Sequence, residues 1–419
     1  MTAAAARRRY VLLVALRWLP TGLVAPVTVL LAQERGLSLS QVGAVVAVQG
    51  FVVLGAELPL GGLADAAGRR PVLLLAGGVA VASLALLALA ETATGFAVAL
   101  AVQGLWRALD SGPLEAWYVD TAQADDPRAD ITAGLGAGAT ALNLAMGAGA
   151  LASGGLVAAG RALGGAPLVL PVVAALAMTV VSSLAVALLV REDRPSGGAR
   201  RHRWRAALGE VPAGVGRGLR LLTTSRVLLA LVAVELFWGF GMVAFETLVP
   251  PRAAEVLGGV ERAGTWMGPL TSAGWAAAAV GAALVPLLSR RLGPAPVAAG
   301  LRLVQGGTVV GMGLLAGPVG LVAAYVACYA AHGASNPVHN GLLHRQADRS
   351  NRAVVLSLNS MVSQPSFAVG ALVLGALADR TSLSAAMVVG AVVLALAAPL
   401  YLPAWRQGRL PRAGGAGEA

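Results

Sequence analysis

Lysine is missing from this chain. All 31 basic residues are arginine, an imbalance that coding bias accounts for. It rules out the Gly-Lys-Ser/Thr loop that cradles phosphate in ATP-driven proteins, so ATP is not the expected energy source. Cysteine is almost missing. Cys328 stands alone in an apolar run, which excludes an internal disulfide and a Cys-rich metal site. Histidine occurs four times. His332 and His339 are not at metal-ligand spacing and have no acid or cysteine to support them, so neither a metal nor a cofactor is expected. No Ser/His/Asp set sits on a soluble scaffold, so an enzyme is not expected either. Charge is scarce, 12% of residues against 57% hydrophobic. That balance is too apolar for an ordinary soluble fold and matches a polytopic membrane protein.

What is there is a succession of long apolar runs. A bilayer core of about 30 Å takes roughly 20 residues of helix. The sequence offers twelve such runs, at 10–31, 41–64, 71–90, 95–118, 132–157, 167–190, 226–250, 266–288, 295–316, 318–341, 353–378 and 383–402. The first follows Arg7-Arg8-Arg9 as a signal peptide would. It is long enough to span and lacks a clear cleavage site, so it reads as the first helix. With the N-terminus inside, the inside segments hold 23 arginines and the outside segments 5, with Arg17, Arg107 and Arg302 within helices. The positive-inside rule then predicts both termini in the cytoplasm of a cell membrane. The net charge of +11 follows from the same clusters, and no nucleic-acid partner is expected.

The longest hydrophilic stretch divides the runs six and six. The predicted organisation is a six-helix bundle at 1–190, a cytoplasmic central loop at 191–225, and a second bundle with a short tail at 226–419. Arg200-Arg201-His202-Arg203-Trp204-Arg205 in the loop suits the anionic inner leaflet. A shift of 224 residues lays Ser111-Gly112-Pro113 on Ser335-Asn336-Pro337 and Arg128-Ala129 on Arg352-Ala353, as expected of two related halves. Runs such as Gly134-Leu135-Gly136-Ala137-Gly138 let helices approach closely.

Charges at membrane depth are costly and mark candidate function. The fourth run carries Arg107, Asp110, Glu115 and Asp120. Arg107 and Asp110 are three apart on one helix face and are expected to pair, either as a helix lock or as part of substrate or proton handling. Pro113 is expected to kink this run. Asp120, at the inner edge, reads as structural. In the seventh run Glu235 stands beside Trp238 and Phe240. It is a candidate for proton exchange, and the rings either line a cavity or pack the core. Glu246 lies nearer the outer edge. Arg17 and Arg302 either snorkel to the cytoplasm or face the cavity, paired with Glu57 or Glu235. His332 and Asn336 share a polar stripe of the tenth run. His332 is either a proton relay or a buried, hydrogen-bonded side chain.

Gly61-Gly62-Leu63-Ala64-Asp65-Ala66-Ala67-Gly68-Arg69-Arg70 joins the second and third runs. It resembles the loop between helices 2 and 3 of the major facilitator superfamily, G-x-L-A-D-(R/K)-x-G-R-(R/K), with Ala66 replacing the usual cation. The Ser-Gly-x-x-Glu-Ala-x-x-x-Asp pattern from Ser111 to Asp120 resembles a bacterial exporter branch of that superfamily. The resemblance implies an all-α fold of twelve transmembrane helices in two pseudo-symmetric six-helix bundles. It implies a monomeric secondary transporter working by alternating access, most simply proton-coupled efflux of a small lipophilic or amphiphilic molecule. The alternatives are uptake of a small, anionic metabolite and a non-transporting receptor. The small molecule, protons and the bilayer are the expected partners. Asp110, Glu115, Glu235 and His332 are the proton-coupling candidates. Arg17, Arg107, Trp238, Phe240, Arg302 and Asn336 are the cavity candidates. Glu57, Gly61, Asp65, Gly68, Arg69, Arg70 and Arg352 form the hinge and gate. The resemblance further implies that Asp65 meets the start of the helix near Arg352, where exposed amides favour a carboxylate.

Overall fold

Several helices begin at a side chain that caps them. Thr92, Asp130, Ser225 and Ser382 each accept from the amide three residues on, at 2.9–3.2 Å. Such caps satisfy donors that a helix start leaves free. Elsewhere proline, preset for a first turn, opens the helix, as at Pro113, Pro294 and Pro318. A computed structural model of the chain describes residues 1–61, 63–192, 216, 220–223, 225–315, 317–346 and 352–409. Most of the central loop lies outside them, as do the side chains of Asp65 and Arg352, so the predicted Asp65 contact does too.

The described residues contain helices and no strand. In order these are α1 (Ala3–Val24), α2 (Thr28–Glu34), α3 (Leu39–Gly61), α4 (Leu63–Ala67), α5 (Arg69–Ala88), α6 (Ala93–Asp110), α7 (Pro113–Asp125), α8 (Ile131–Ala162) and α9 (Leu170–Leu189). After the central loop come α10 (Arg226–Glu246), α11 (Val249–Leu257), α12 (Val260–Leu292), α13 (Pro294–Leu314), α14 (Pro318–Arg345), α15 (Arg352–Arg380), α16 (Leu383–Ala395), a 3-10 turn (Ala398–Tyr401) and α17 (Leu402–Arg409). Among the described residues ten segments are long and apolar enough to cross a membrane, by length and composition. Two of the twelve expected runs fall short of that measure, those of α6–α7 and α14. Both carry the polar residues singled out above.

The fourth run is not one kinked helix. It breaks, with Ser111 extended and Gly112 at φ +92°, before Pro113 opens α7. Only glycine adopts that backbone conformation without a steric cost. The matching Ser335-Asn336-Pro337 passes through α14 without a break.

α1, α3 and α5–α9 pack together, as do α10 and α12–α16, and the two groups meet along α3/α15 and α8/α12. In lipid no hydrophobic force drives helices together, so close packing of small residues does. A Cβ on Gly375 would lie 2.5 Å from the Leu39 carbonyl, and one on Gly268 would lie 2.5 Å from the Ala150 carbonyl. These approaches lie toward the face remote from the termini. On that face Asp379 of α15 accepts from the amides of Leu39 and Ser40 at 3.0 and 2.8 Å, capping α3. Arg161 meets Glu261 at 3.2 Å, again across the groups. The far face is therefore closed. Gly375-Ala376-Leu377-Ala378-Asp379 repeats the Gly-x-Leu-Ala-Asp of Gly61-Gly62-Leu63-Ala64-Asp65.

The start of α5 is held by a residue the sequence did not single out. Glu192 accepts from the amides of Arg69 and Arg70 at 2.9 and 3.0 Å, and its carboxylate lies against Gly68, at φ +94°. Arg69 also donates to Asp120 at 2.9 Å, the structural role expected of that acid. Arg70 donates to the Ala187 carbonyl at 2.7 Å. Replacing Glu192 by Gln keeps one acceptor and removes the charge. The expected loss is about 1 kcal/mol, the usual worth of a helix cap, read as a lower unfolding midpoint in detergent. An unchanged midpoint would show that Glu192 does not hold the start of α5.

Candidate functional site

The break in the fourth run sets the geometry of the first group of helices. Asp110, the last residue of α6, pairs with Arg17 of α1. The expected partner was Arg107. That correction follows from the fold, because α1 supplies a guanidinium to the end of α6 while Arg107 turns elsewhere. Arg17 is buried, so it does not snorkel. Below the pair lies a cavity of about 260 Å³ whose lining includes Tyr10, Trp18, Asp110, Glu115, Leu135 and Leu142. Tyr10 and Tyr118 stack with centroids 4.6 Å apart. They fit because Gly138 and Gly134 leave no Cβ in the way of their rings. Glu115 is exposed and stands in the first turn of α7, where a helix start favours a carboxylate. A second, smaller pocket lies on the other side of Arg17, lined in part by Gln103, Trp106, Ser182 and Ser183. Arg17 therefore lines both pockets, and Asp110 lines the larger one.

Arg107 is exposed and acts electrostatically on Glu57 of its own group and Glu246 of the other. Glu246 accepts from the Tyr329 hydroxyl at 3.0 Å.

In the second group the polar side chains turn inward. Glu235 and His339 are 5% and 2% exposed, and Glu235 Oε1 lies 3.2 Å from His339 Nε2. The same nitrogen lies 3.2 Å from Asn359 Oδ1, and Nδ1 lies 2.9 Å from the Tyr401 hydroxyl. With two acceptors before Nε2, that nitrogen carries the hydrogen and Nδ1 accepts from Tyr401, a tautomer assigned from the network. Arg302 is 1% exposed, so it does not snorkel. It donates to Gln305 Oε1 at 3.1 Å and lies 5.8 Å from the Trp238 ring centre. Gln305 in turn lies 3.4 Å from His332 Nδ1, and His332 stacks on Trp238 at 6.0 Å. Trp238 and Phe240 pack against the apolar core, the plainer of their two readings. Asn336 is exposed on α14 and His332 is half-buried.

Of the proton-coupling candidates, the fold brings Asp110 and Glu115 to one cavity wall and sets Glu235 and His332 apart, in the core of the other group. Gln305, Asn359 and Tyr401 were missed. Each is a polar residue on a different helix, and only the packing of four helices assembles them. Among the described residues no group of three or more His, Cys, Asp and Glu is arranged to hold a metal.

The sequence model of the Major Facilitator Superfamily matches residues 10–331. No curated protein matches the chain. Among solved structures, a bacterial homolog of the human lysosomal transporter Spinster, inward-facing and unoccupied, is 16% identical. It has a TM-score of 0.76, with 98% of this chain and 99% of that one covered. The nucleoside transporter NupG is 12% identical, with a TM-score of 0.73 and 97% and 100% covered. A POT family transporter in complex with 5-aminolevulinic acid is 14% identical, with a TM-score of 0.72 and 94% and 95% covered. At these identities the likeness is one of fold.

Proposed function

This chain belongs to the major facilitator superfamily, and from that premise we propose that it is a proton-coupled secondary transporter exporting a small lipophilic or amphiphilic molecule by alternating access. The observation that carries this reading is the Arg17–Asp110 pair, set at a helix break on the wall of a cavity. A buried ion pair is a poor source of stability, and a charge at membrane depth has a function by default. A proton on Asp110 would remove its attraction for Arg17 and loosen the wall of the cavity. The closed far face supports a state open toward the termini. The arginine asymmetry supports reading that side as the cytoplasmic one. The fold works as a monomer in this reading, and the two groups are the moving bodies on either side of the central loop.

Glu235 and His339 are a second protonatable pair, away from the cavity. Proteoliposomes with an imposed pH gradient separate the two. Asp110→Asn is expected to abolish pH-driven accumulation of substrate. Glu235→Gln, which can still accept from His339, is expected to bind substrate and to retain at least part of the coupling. The reverse result would move the coupling site to the second group. Substrate movement with no proton flux in the unaltered protein would overturn proton coupling altogether.

A further inference from the structure

We propose that the 260 Å³ cavity between α1, the α6/α7 break and α8 binds a monovalent organic cation with a small aromatic or apolar body, its charge held by Glu115. The proposal rests on the transporter reading and names its substrate class.

The charges of the cavity carry the argument. Its lining includes one basic side chain, Arg17, and two acidic ones, Asp110 and Glu115. Arg17 and Asp110 neutralise each other. Glu115 has no salt-bridge partner among the described residues. It stands in the first turn of α7, where the exposed amides favour an acidic side chain. The wall is therefore one negative charge in excess. A monovalent cation balances it, an anion is repelled, and a dication finds no second free carboxylate.

The rest of the lining fits the body of such a molecule. Tyr10 and Trp18 present aromatic rings, which attract ammonium groups, and Leu114, Leu135 and Leu142 supply apolar surface. The volume is at the low end for a ligand site, which sets the size as small. The wider field agrees. At membrane depth Glu57, Asp110, Glu115, Glu235 and Glu246 stand against Arg17, Arg107 and Arg302, five carboxylates to three guanidiniums. That balance disfavours the anionic metabolite considered from the sequence.

The test uses labelled benzyltrimethylammonium, whose charge does not titrate, with the full chain in lipid nanodiscs. Its uncharged carbon analogue neopentylbenzene and the anion benzenesulfonate are the competitors. The expected result is saturable binding of the cation and no displacement by the sulfonate. The uncharged analogue should compete at least about tenfold more weakly, a factor equivalent to about 1.4 kcal/mol. Glu115→Gln should lose about tenfold or more in affinity while keeping its unfolding midpoint, and Glu115→Asp should recover part of it. Absence of saturable cation binding would overturn the proposal. So would equal competition by the uncharged or anionic compound, or unchanged affinity in Glu115→Gln. If Glu115→Gln does not fold, the comparison of the three compounds on the unaltered chain decides alone. Vesicle flux under a pH gradient keeps the two readings apart. Binding without flux defeats the transporter reading and leaves the cation site standing. Flux of anions but not cations defeats the cation site and leaves the transporter.

Discussion

Replacing Asp110 by Asn is expected to destabilise the folded protein by about 3–5 kcal/mol, the usual cost of stripping one partner from a buried ion pair. The Arg17 side chain is 6% exposed and the Asp110 side chain 16%, so the guanidinium left behind has little water to turn to. The expected reading is a large drop in the unfolding midpoint of the single variant. The double variant Arg17→Met with Asp110→Leu should recover most of that loss, because apolar side chains of similar volume commonly replace a buried pair at no net cost. It should nevertheless transport nothing against a gradient. Recovery of stability with loss of transport would mark the pair as functional. A double variant as unstable as the single one would show that Asp110 acts through something other than the charge of Arg17.

Asp379→Ala is expected to shift the protein roughly tenfold toward the state open on its far face, since a capping carboxylate is worth about 0.5–2 kcal/mol and about 1.4 kcal/mol is a factor of ten. Both hydrogen bonds of Asp379 cross between the two groups of helices, so in the alternative state they are unmade. Gly375→Val acts on the same seam through sterics. The obstacle 2.5 Å from its new Cβ is the backbone carbonyl of Leu39, which cannot swing aside, and overpacking of this kind costs about 1–3 kcal/mol. Spin labels on the far ends of α3 and α15 would report both. The native Cys328 is fully buried and leaves the introduced cysteines as the accessible thiols. Unchanged distance distributions in both variants would mean that this seam does not hold the closed state.

The all-helical membrane class and the family were legible in the sequence. Partners were not. Arg107 and Asp110 looked paired because three residues of helix bring them to one face. That inference assumes no competing cation. α6 is continuous through both residues, and Arg17 arrives from 93 positions away. The repeat was visible in Ser111-Gly112-Pro113 and Ser335-Asn336-Pro337. It could not reveal that the two sites differ in conformation, which turns on glycine against asparagine at one position. Asp379 was within reach, since its Gly-x-Leu-Ala-Asp copies the hinge motif at the opposite end of a partner helix. His339 with Tyr401 and Asn359 was not, because no local pattern joins single polar residues on three helices.

The first of the two membrane segments that fall short in apolarity also bears on how the chain is made. α6 must enter the bilayer as it leaves the ribosome, and an Arg or Asp at the centre of a helix costs about 2.5–3.5 kcal/mol in that partitioning. Arg17 emerges long before Asp110, the residue it pairs with in the folded chain. The insertion machinery must therefore keep α1 close at hand until α6 has been synthesised, and the first helices must enter the lipid as a set. A chain cut after α5 would strand Arg17 and is expected to be held back or degraded, whereas one cut after α8 would carry its neutralised pair into the membrane.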